Sequence, residues 1–340
     1  SSSIFCSNFS SSNLLTIFLI FAALFVLIYI LVKRLVVNNI YKINESLTAI
    51  TEGKLDTVVD VRSHVEFESL SNDINSTVAT LKRYISDAEA RIDAELAFAK
   101  AIQHSALPSV FPPYPNRKEF DIQATMHTAK EVGGDFYDFY FVNDENLIFL
   151  VADVSGKGIP AAMFMMKAKA LLKSYAETGM SVEEVFIHAN EELCAGNDTG
   201  MFVTAWMGML NTKTGIITFA NAGHNPPLVK HADGTFEYLK SRPGLVLAGM
   251  EGIRYRKNEV QLLNDDVIYL YTDGVTEAIN ANEELYGEER LLKILNDNKN
   301  EDVNVICDSV KKDVDLFAGE APQFDDITML CLRYHPLKEG

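Results

Sequence analysis

The stretch 147-LIFLVADVSGKGIPAAMF-164 decides how this chain is read. Residues 147–152 are all apolar and predict a buried strand. The run ends on Asp153, passes the turn Ser155-Gly156-Lys157-Gly158 and enters a helix-like segment through Pro160. A carboxylate at the end of a buried strand is costly unless the turn leaves it in water or a positive charge sits beside it.

Three other segments repeat the pattern. In 132-VGGDFYDFY-140, Gly133 and Gly134 permit close backbone approach and Asp135 follows at once. In 267-VIYLYTDGVTEA-278 an apolar run meets Asp273 and Gly274. In 323-QFDDITMLCLRY-334, Asp325 and Asp326 precede an alternating strand. Any one of these aspartates has an ordinary explanation as a turn or cap residue, because a short carboxylate accepts backbone N–H bonds. That explanation weakens when several acids flank runs that read as core. Carboxylates brought together repel, and a pair of hard divalent ions compensates them. Mg²⁺ and Mn²⁺ prefer carboxylate, carbonyl and water oxygens. No histidine or cysteine cluster competes, which disfavours zinc.

The remaining chain sets the context. At 340 residues it is too long for one small core. A net charge of −17 argues against a broad nucleic-acid footprint, since no basic surplus is available to displace counterions. Cys6, Cys194, Cys307 and Cys331 lack CxxC spacing, so neither a zinc site nor a disulfide framework is expected. A reducing compartment suits the last three.

Residues 1–32 carry no charge, and 14-LLTIFLIFAALFVLIYILV-32 has only Thr16 as a polar residue. At 1.5 Å per residue this helix reaches roughly 28 Å, close to the hydrocarbon thickness of a bilayer. A core helix would show a polar face, and a signal peptide would have a basic start and a cleavage site. A transmembrane helix over 14–32 is therefore expected. Lys33, Arg34 and Lys42 follow it, which places everything after residue 33 in the cytoplasm of a single-pass protein of the cytoplasmic (inner) membrane. The Ser-rich segment 1–13, without Met, reads as an altered or truncated start, with room for a sensing domain ahead of it.

Behind the span, Ile40, Ile43, Leu47 and Ile50 have coiled-coil spacing. Thr51-Glu52-Gly53 interrupts them, and 54-KLDTVVDV-61 is too short and β-rich to continue. Phe67, Leu70, Ile74, Val78, Leu81, Ile85, Ala88 and Ile92 then resume, with two successive fours that form a stutter. Helix, connector and helix over 33–87 resemble a HAMP signal-relay domain, although Asn38 or Ile40 stands where that family commonly has proline. The resemblance implies a homodimer, as does the competing reading of a plain coiled-coil stalk. A signalling helix over 88–107 follows, and Pro108, Pro112, Pro113 and Pro115 end it.

The order GGDFYD, DVSGKG, NAGHNPPL, YTDGVTEA and DDITML, with the run-in 98-FAKAIQHSALP-108, resembles the SpoIIE/RsbU branch of PP2C-type (PPM) serine/threonine phosphatases. The resemblance implies an α+β fold over 118–336. It would be a PPM-type antiparallel β-sandwich flanked by helices (αββα), with two Mn²⁺ or Mg²⁺ ions at one end. It further implies that Asp153 bridges both ions and that the Val154 carbonyl completes one shell. Asp135, Asp273 and Asp325 would hold the other, with Asp325 matching better than Asp326. Glu277 matches an acid some relatives use for a third ion, while His224 stands where other branches have an acid. Ser155 replaces a histidine proposed as general acid in the eukaryotic branch. The phosphate-gripping arginine of that branch has no clear match, and Lys130 is the candidate contact. The implied substrate is a phosphorylated protein, in this branch commonly a STAS-type anti-sigma-factor antagonist. A catalytically weak phosphoprotein-binding module is the alternative.

Other features read as structural. The Ser155–Gly158 turn lacks the pattern of a P-loop, and Lys157 reads as a solvated turn residue. His224 sits in 221-NAGHNPP-227, which Gly223 and two prolines explain as a turn. The methionines of 160–176 suit core packing, and that segment is the regulatory candidate. The acids of 282-NEELYGEER-290 read as a solvated helix start.

Overall fold

Period-two alternation explains the second half of the chain. In the last strand, Leu330, Leu332 and Tyr334 belong to one buried cluster, while Ile327, Met329 and Cys331 belong to another. The preceding long strand divides likewise, with Ile268 and Leu270 on one side and Val267, Tyr269 and Tyr271 on the other. Successive strand side chains point to opposite faces, so a sheet covered on both faces must be apolar at every position. That is why these runs look continuous rather than alternating.

The structure, a computed structural model, describes residues 3–232 and 234–336, with backbone alone for 3–13. The side chain of Cys6 and much of the expectation for 1–13 therefore lie outside the described residues. Two compact units divide the chain at Ala94/Glu95.

The first unit opens with α1 (Ser3–Val32), whose residues from Leu14 onward are exposed. A π-helical turn over Lys33–Val37 leads into α2 (Asn38–Thr51). After the connector, α3 (Val65–Ala106) begins. Connector residues Val59 and Val61 pack with Ile43 against Leu47, Ile50, Phe67 and Ile74. Asn75 exchanges two hydrogen bonds with the Val59 backbone, at 2.9 and 2.8 Å, and Ser71 pairs with the Val61 backbone. Lys82 reaches Asp56 further along. The connector thus runs antiparallel to α3. Asn39 bonds Ser63 at the connector's far end, so α2 lies parallel to α3. The connector forms no strand. Helix α3 is continuous through 87/88 and ends at Ala106, just before Pro108.

The second unit begins at Glu95 and so includes the last turns of α3. Its strands are β1 (Phe120–His127), β2 (Phe136–Phe141), β3 (Asn146–Val154), β4 (Val203–Asn211), β5 (Ile216–Ala222), β6 (Leu228–Lys230), β7 (Phe236–Tyr238), β8 (Asn258–Gln261), β9 (Val267–Tyr271) and β10 (Ile327–Tyr334). They form two five-stranded sheets, β1-β10-β9-β6-β7 and β2-β3-β4-β5-β8, with every strand pair antiparallel. Helices α4 (Ile159–Glu177) and α5 (Val182–Cys194) cover the second sheet. The short α6 (Asp273–Thr276) precedes α7 (Gly287–Asp297) and α8 (Val303–Ala318), which cover the first. The expected αββα sandwich is present.

Packing between the sheets is led by Trp206, stacked on Phe219 at 5.1 Å and tilted against Phe149 at 5.4 Å. A Cβ at Gly208 would meet the Trp206 ring at 2.7 Å, so only glycine fits beneath it. Helix α4 buries Ala161, Ala162, Met165, Ala168, Leu172 and Ala176, spaced by about one turn. Of its methionines, Met165 is core and Met163 is exposed. Of the acids in 282–290, Glu288 and Glu289 do stand in the first turn of α7, while Glu283 and Glu284 precede the helix, which begins at Gly287.

Candidate active site

Antiparallel pairing brings the acids together. Phe136 at the start of β2 stands opposite Ala152 near the end of β3. Tyr271 at the end of β9 stands opposite Met329 near the start of β10. Asp135, Asp153, Asp273 and Asp325 are therefore all delivered to one end of the two sheets. Distant sequence positions meet because each acid sits just beyond, or at, the same end of its strand.

The electrostatics report that proximity. Burial, reinforced by Asp153 and Asp326, pushes the Asp135 carboxyl well above the usual carboxylate range. Asp153 is pushed up to about 7, by burial first and then by Asp273. Asp273 rises to about 6, by burial and then by Glu277 and Asp325. Asp135 and Asp153 thus lie close enough for each carboxylate to bear on the other. Glu277 is exposed at the rim, one turn after Asp273.

The adjacent acids Asp325 and Asp326 have different environments. Asp326 is buried and accepts from the Ala129 N–H at 2.8 Å and the Gly134 N–H at 2.7 Å. It is committed to holding the glycine loop. Asp325 is partly exposed and faces Lys157, with Nζ 3.0 Å from Oδ2. Lys157 is thus not the solvated turn residue expected: its stem is long enough to cross to the start of β10. Lys130 is exposed, and its Cδ would lie 3.8 Å from a Cβ at Gly158, beside the same turn. Ser155 is occupied in closing the loop, exchanging bonds with the Phe202 backbone, both at 2.9 Å. His224 is buried, and its Nδ1 pairs with the Thr204 hydroxyl at 2.8 Å. Burial pushes its pKa down to about 4, which suits the structural reading.

Several supporting residues escaped the sequence reading. Thr272 donates to Asp135 at 2.7 Å and accepts from the Thr328 N–H at 2.9 Å, joining the two sheets at the site. A hydroxyl at the end of an apolar run was its available signal. Gln103, buried near the end of α3, donates to the Gly133 carbonyl at 2.7 Å and accepts from its N–H at 3.1 Å. Only its place on a helical face could have pointed to it. Asp138, buried in β2, pairs with Lys169 of α4.

The donor set fits hard divalent ions: four carboxylates and a backbone carbonyl, without nitrogen or sulfur. The backbone is also shaped for it. A Cβ at Gly134 would meet the Val154 carbonyl oxygen at 2.7 Å, and one at Gly274 would meet the Asp326 carbonyl oxygen at 2.0 Å. The bare glycines keep these chains close. Among the described residues, no three acidic, histidine or cysteine side chains close around one point. Asp135 is turned toward Thr272 and Asp325 toward Lys157, so ion binding requires side-chain adjustment.

Comparison with known proteins identifies the family. The family model for stage II sporulation protein E (SpoIIE) matches residues 143–335, more than half of the chain. The chain belongs to the SpoIIE family. It is 33% identical over 248 residues to the phosphoserine phosphatase RsbU of Bacillus subtilis, covering 71% of this chain and 70% of RsbU. It is 25% identical over 327 residues to protein IcfG of Synechocystis, covering 86% of this chain but spanning only 50% of IcfG. The SiaA-PP2C domain of Pseudomonas aeruginosa superposes with a TM-score of 0.64 at 22% identity, covering 73% of this chain and 98% of that domain. The second unit of this SpoIIE-family chain therefore has the PP2C phosphatase fold.

Proposed function

We propose that the chain is a membrane-anchored, metal-dependent protein phosphatase that hydrolyses phosphoserine or phosphothreonine on a partner protein. The observation that carries this reading is the delivery of four acids to one sandwich end by the strand register, with Asp135 buried and Asp153 half-buried. Kinship to RsbU, a phosphoserine phosphatase by name, supports it. Asp153 would lie between two Mn²⁺ or Mg²⁺ ions, with the Val154 carbonyl on one and Asp135, Asp273 and Asp325 on the other. Glu277 is the rim acid available to a third. Such ions supply water whose pKa falls toward neutrality and charge that offsets the phosphoryl oxygens.

The chain's own residues orient the donors. Thr272 fixes the Asp135 carboxyl, Asp326 holds the Gly134 N–H and Gln103 holds the Gly133 carbonyl. Lys130 beside the turn is the candidate contact for substrate phosphate. A STAS-type antagonist is the substrate class proposed, as the resemblance of the motifs to the SpoIIE/RsbU branch implies. Helix α1 is long and apolar enough to cross a membrane. We place the second unit on the cytoplasmic side, with the parallel α2/α3 pair as a HAMP-type relay in a homodimer. The parallel order and the wedged Val59 and Val61 support that relay.

Engagement of Ser155 by Phe202 favours a second reading, a phosphoprotein-binding module with weak turnover. Phosphate release from a phosphoserine protein, with and without Mn²⁺, separates the two. Mn²⁺-dependent turnover that Asp153→Asn abolishes in a folded protein supports the enzyme. Binding without turnover supports the module.

A further inference from the structure

The turn between β3 and α4 carries a cation that the chemistry above leaves without a role. Lys157 Nζ lies 3.0 Å from Asp325 Oδ2, donates to the Phe324 carbonyl at 2.5 Å and stands 3.9 Å from the Phe324 ring centroid. These three contacts hold the ammonium on the Asp325 side of the acid cluster. Its field also reaches Asp273, where it opposes the larger upward push of burial.

Each Asp325 oxygen already has a partner. Its Oδ1 accepts the Asp326 N–H at 2.8 Å, and its Oδ2 takes Lys157. The backbone bond is local and stays with the turn. The ammonium is on a flexible stem, and both partners are partly exposed, so it is the group that can leave. When it leaves, the Phe324 ring and carbonyl remain as its holding place.

Resting on the two-ion reading of this site, we propose that Lys157 is a tethered counter-ion that competes with a divalent cation for Asp325 and so weakens that seat. The exchange is charge for charge: a bound ion must displace one ammonium before it gains the carboxylate. The seat fills at a higher ion concentration than its acids alone would require.

The test is calorimetric titration of the full chain in detergent with MnCl₂ alone, at fixed ionic strength. Lys157→Met keeps the stem and removes the charge, and Lys157→Gln serves if the first variant does not fold. Lys213→Met is the control for net charge, because Lys213 pairs with Glu145 beyond the opposite end of β3. Losing the counter-ion is expected to tighten the weaker Mn²⁺ site by about three- to tenfold. Lys157→Arg and Lys213→Met are expected within about twofold of the parent, as neither removes the positive charge beside Asp325. Unchanged or weaker Mn²⁺ binding in Lys157→Met, or equal tightening in Lys213→Met, overturns the proposal. A parent protein that binds no Mn²⁺ overturns the two-ion reading instead, so the two failures are distinct.

Discussion

Replacing Asp326 with alanine should damage the fold, whereas replacing its neighbour Asp325 should damage the ion site. Asp326 gives one oxygen to the Ala129 N–H and the other to the Gly134 N–H, and it is buried. A hydrogen bond to a charged group contributes about 1.5–3 kcal/mol, so two give roughly 3–6 kcal/mol. Removing Asp326 also relieves its repulsion of Asp135 and Asp153, which offsets part of the loss. A net destabilisation of about 2–4 kcal/mol follows, or roughly 5–15 °C in Tm for a domain of this size. Asp325→Ala loses only a partly exposed ion pair and a bond to its neighbour's N–H, for which about 1 kcal/mol is expected. It should instead lower Mn²⁺ affinity by about tenfold or more, the equivalent of at least 1.4 kcal/mol. Trp206, the chain's single tryptophan and fully buried, reports unfolding of the second unit by fluorescence in urea with chelator present. The reverse pattern, with a stable Asp326→Ala that loses Mn²⁺ and an unstable Asp325→Ala that keeps it, would refute this division of labour.

Three further outcomes are expected. Gly134→Ala should lower Mn²⁺ affinity and cost about 1–3 kcal/mol, because the new Cβ meets the Val154 carbonyl at 2.7 Å and Ala161 Cβ at 3.3 Å; titration and urea unfolding read both. Asp153 and Asp273, raised to about 7 and about 6, make the protein in chelator less stable as pH rises through that range, because the native state then loses protons it held more tightly than the unfolded chain. Bound Mn²⁺ removes that penalty, so the Tm gain from added Mn²⁺ should grow between pH 6 and about 8; a gain that shrinks over this range contradicts the assignment. Gln103→Ala leaves both backbone groups of Gly133 without their side-chain partner and should cost about 2–3 kcal/mol, with faster hydrogen exchange at the Gly133 amide.

The sheet strands and the four acids were legible because strand ends and turns are local signals. Asp153 stands out since an apolar run cannot end on a carboxylate without a reason. The parts that could not be read are contacts across the fold. Lys157 looks like any turn lysine until β10 is placed beside it. Asp325 and Asp326 are chemically identical in sequence, and only the packing of the Gly133-Gly134 loop tells which one the backbone occupies. Gln103 lies on a helix that reads as a stalk, yet its last turns are part of the second unit's core. The stalk itself shows the same limit: Val59 and Val61 look β-rich, but their side chains wedge between two helices and no strand forms.

The most direct measurement is the anomalous difference map from a crystal grown with Mn²⁺. The account predicts two peaks at the sheet end, enclosed by Asp135, Asp153, Asp273 and Asp325, with Asp326 still bonded to the Ala129 and Gly134 amides. A map without density among these acids, from protein saturated with Mn²⁺, would contradict it.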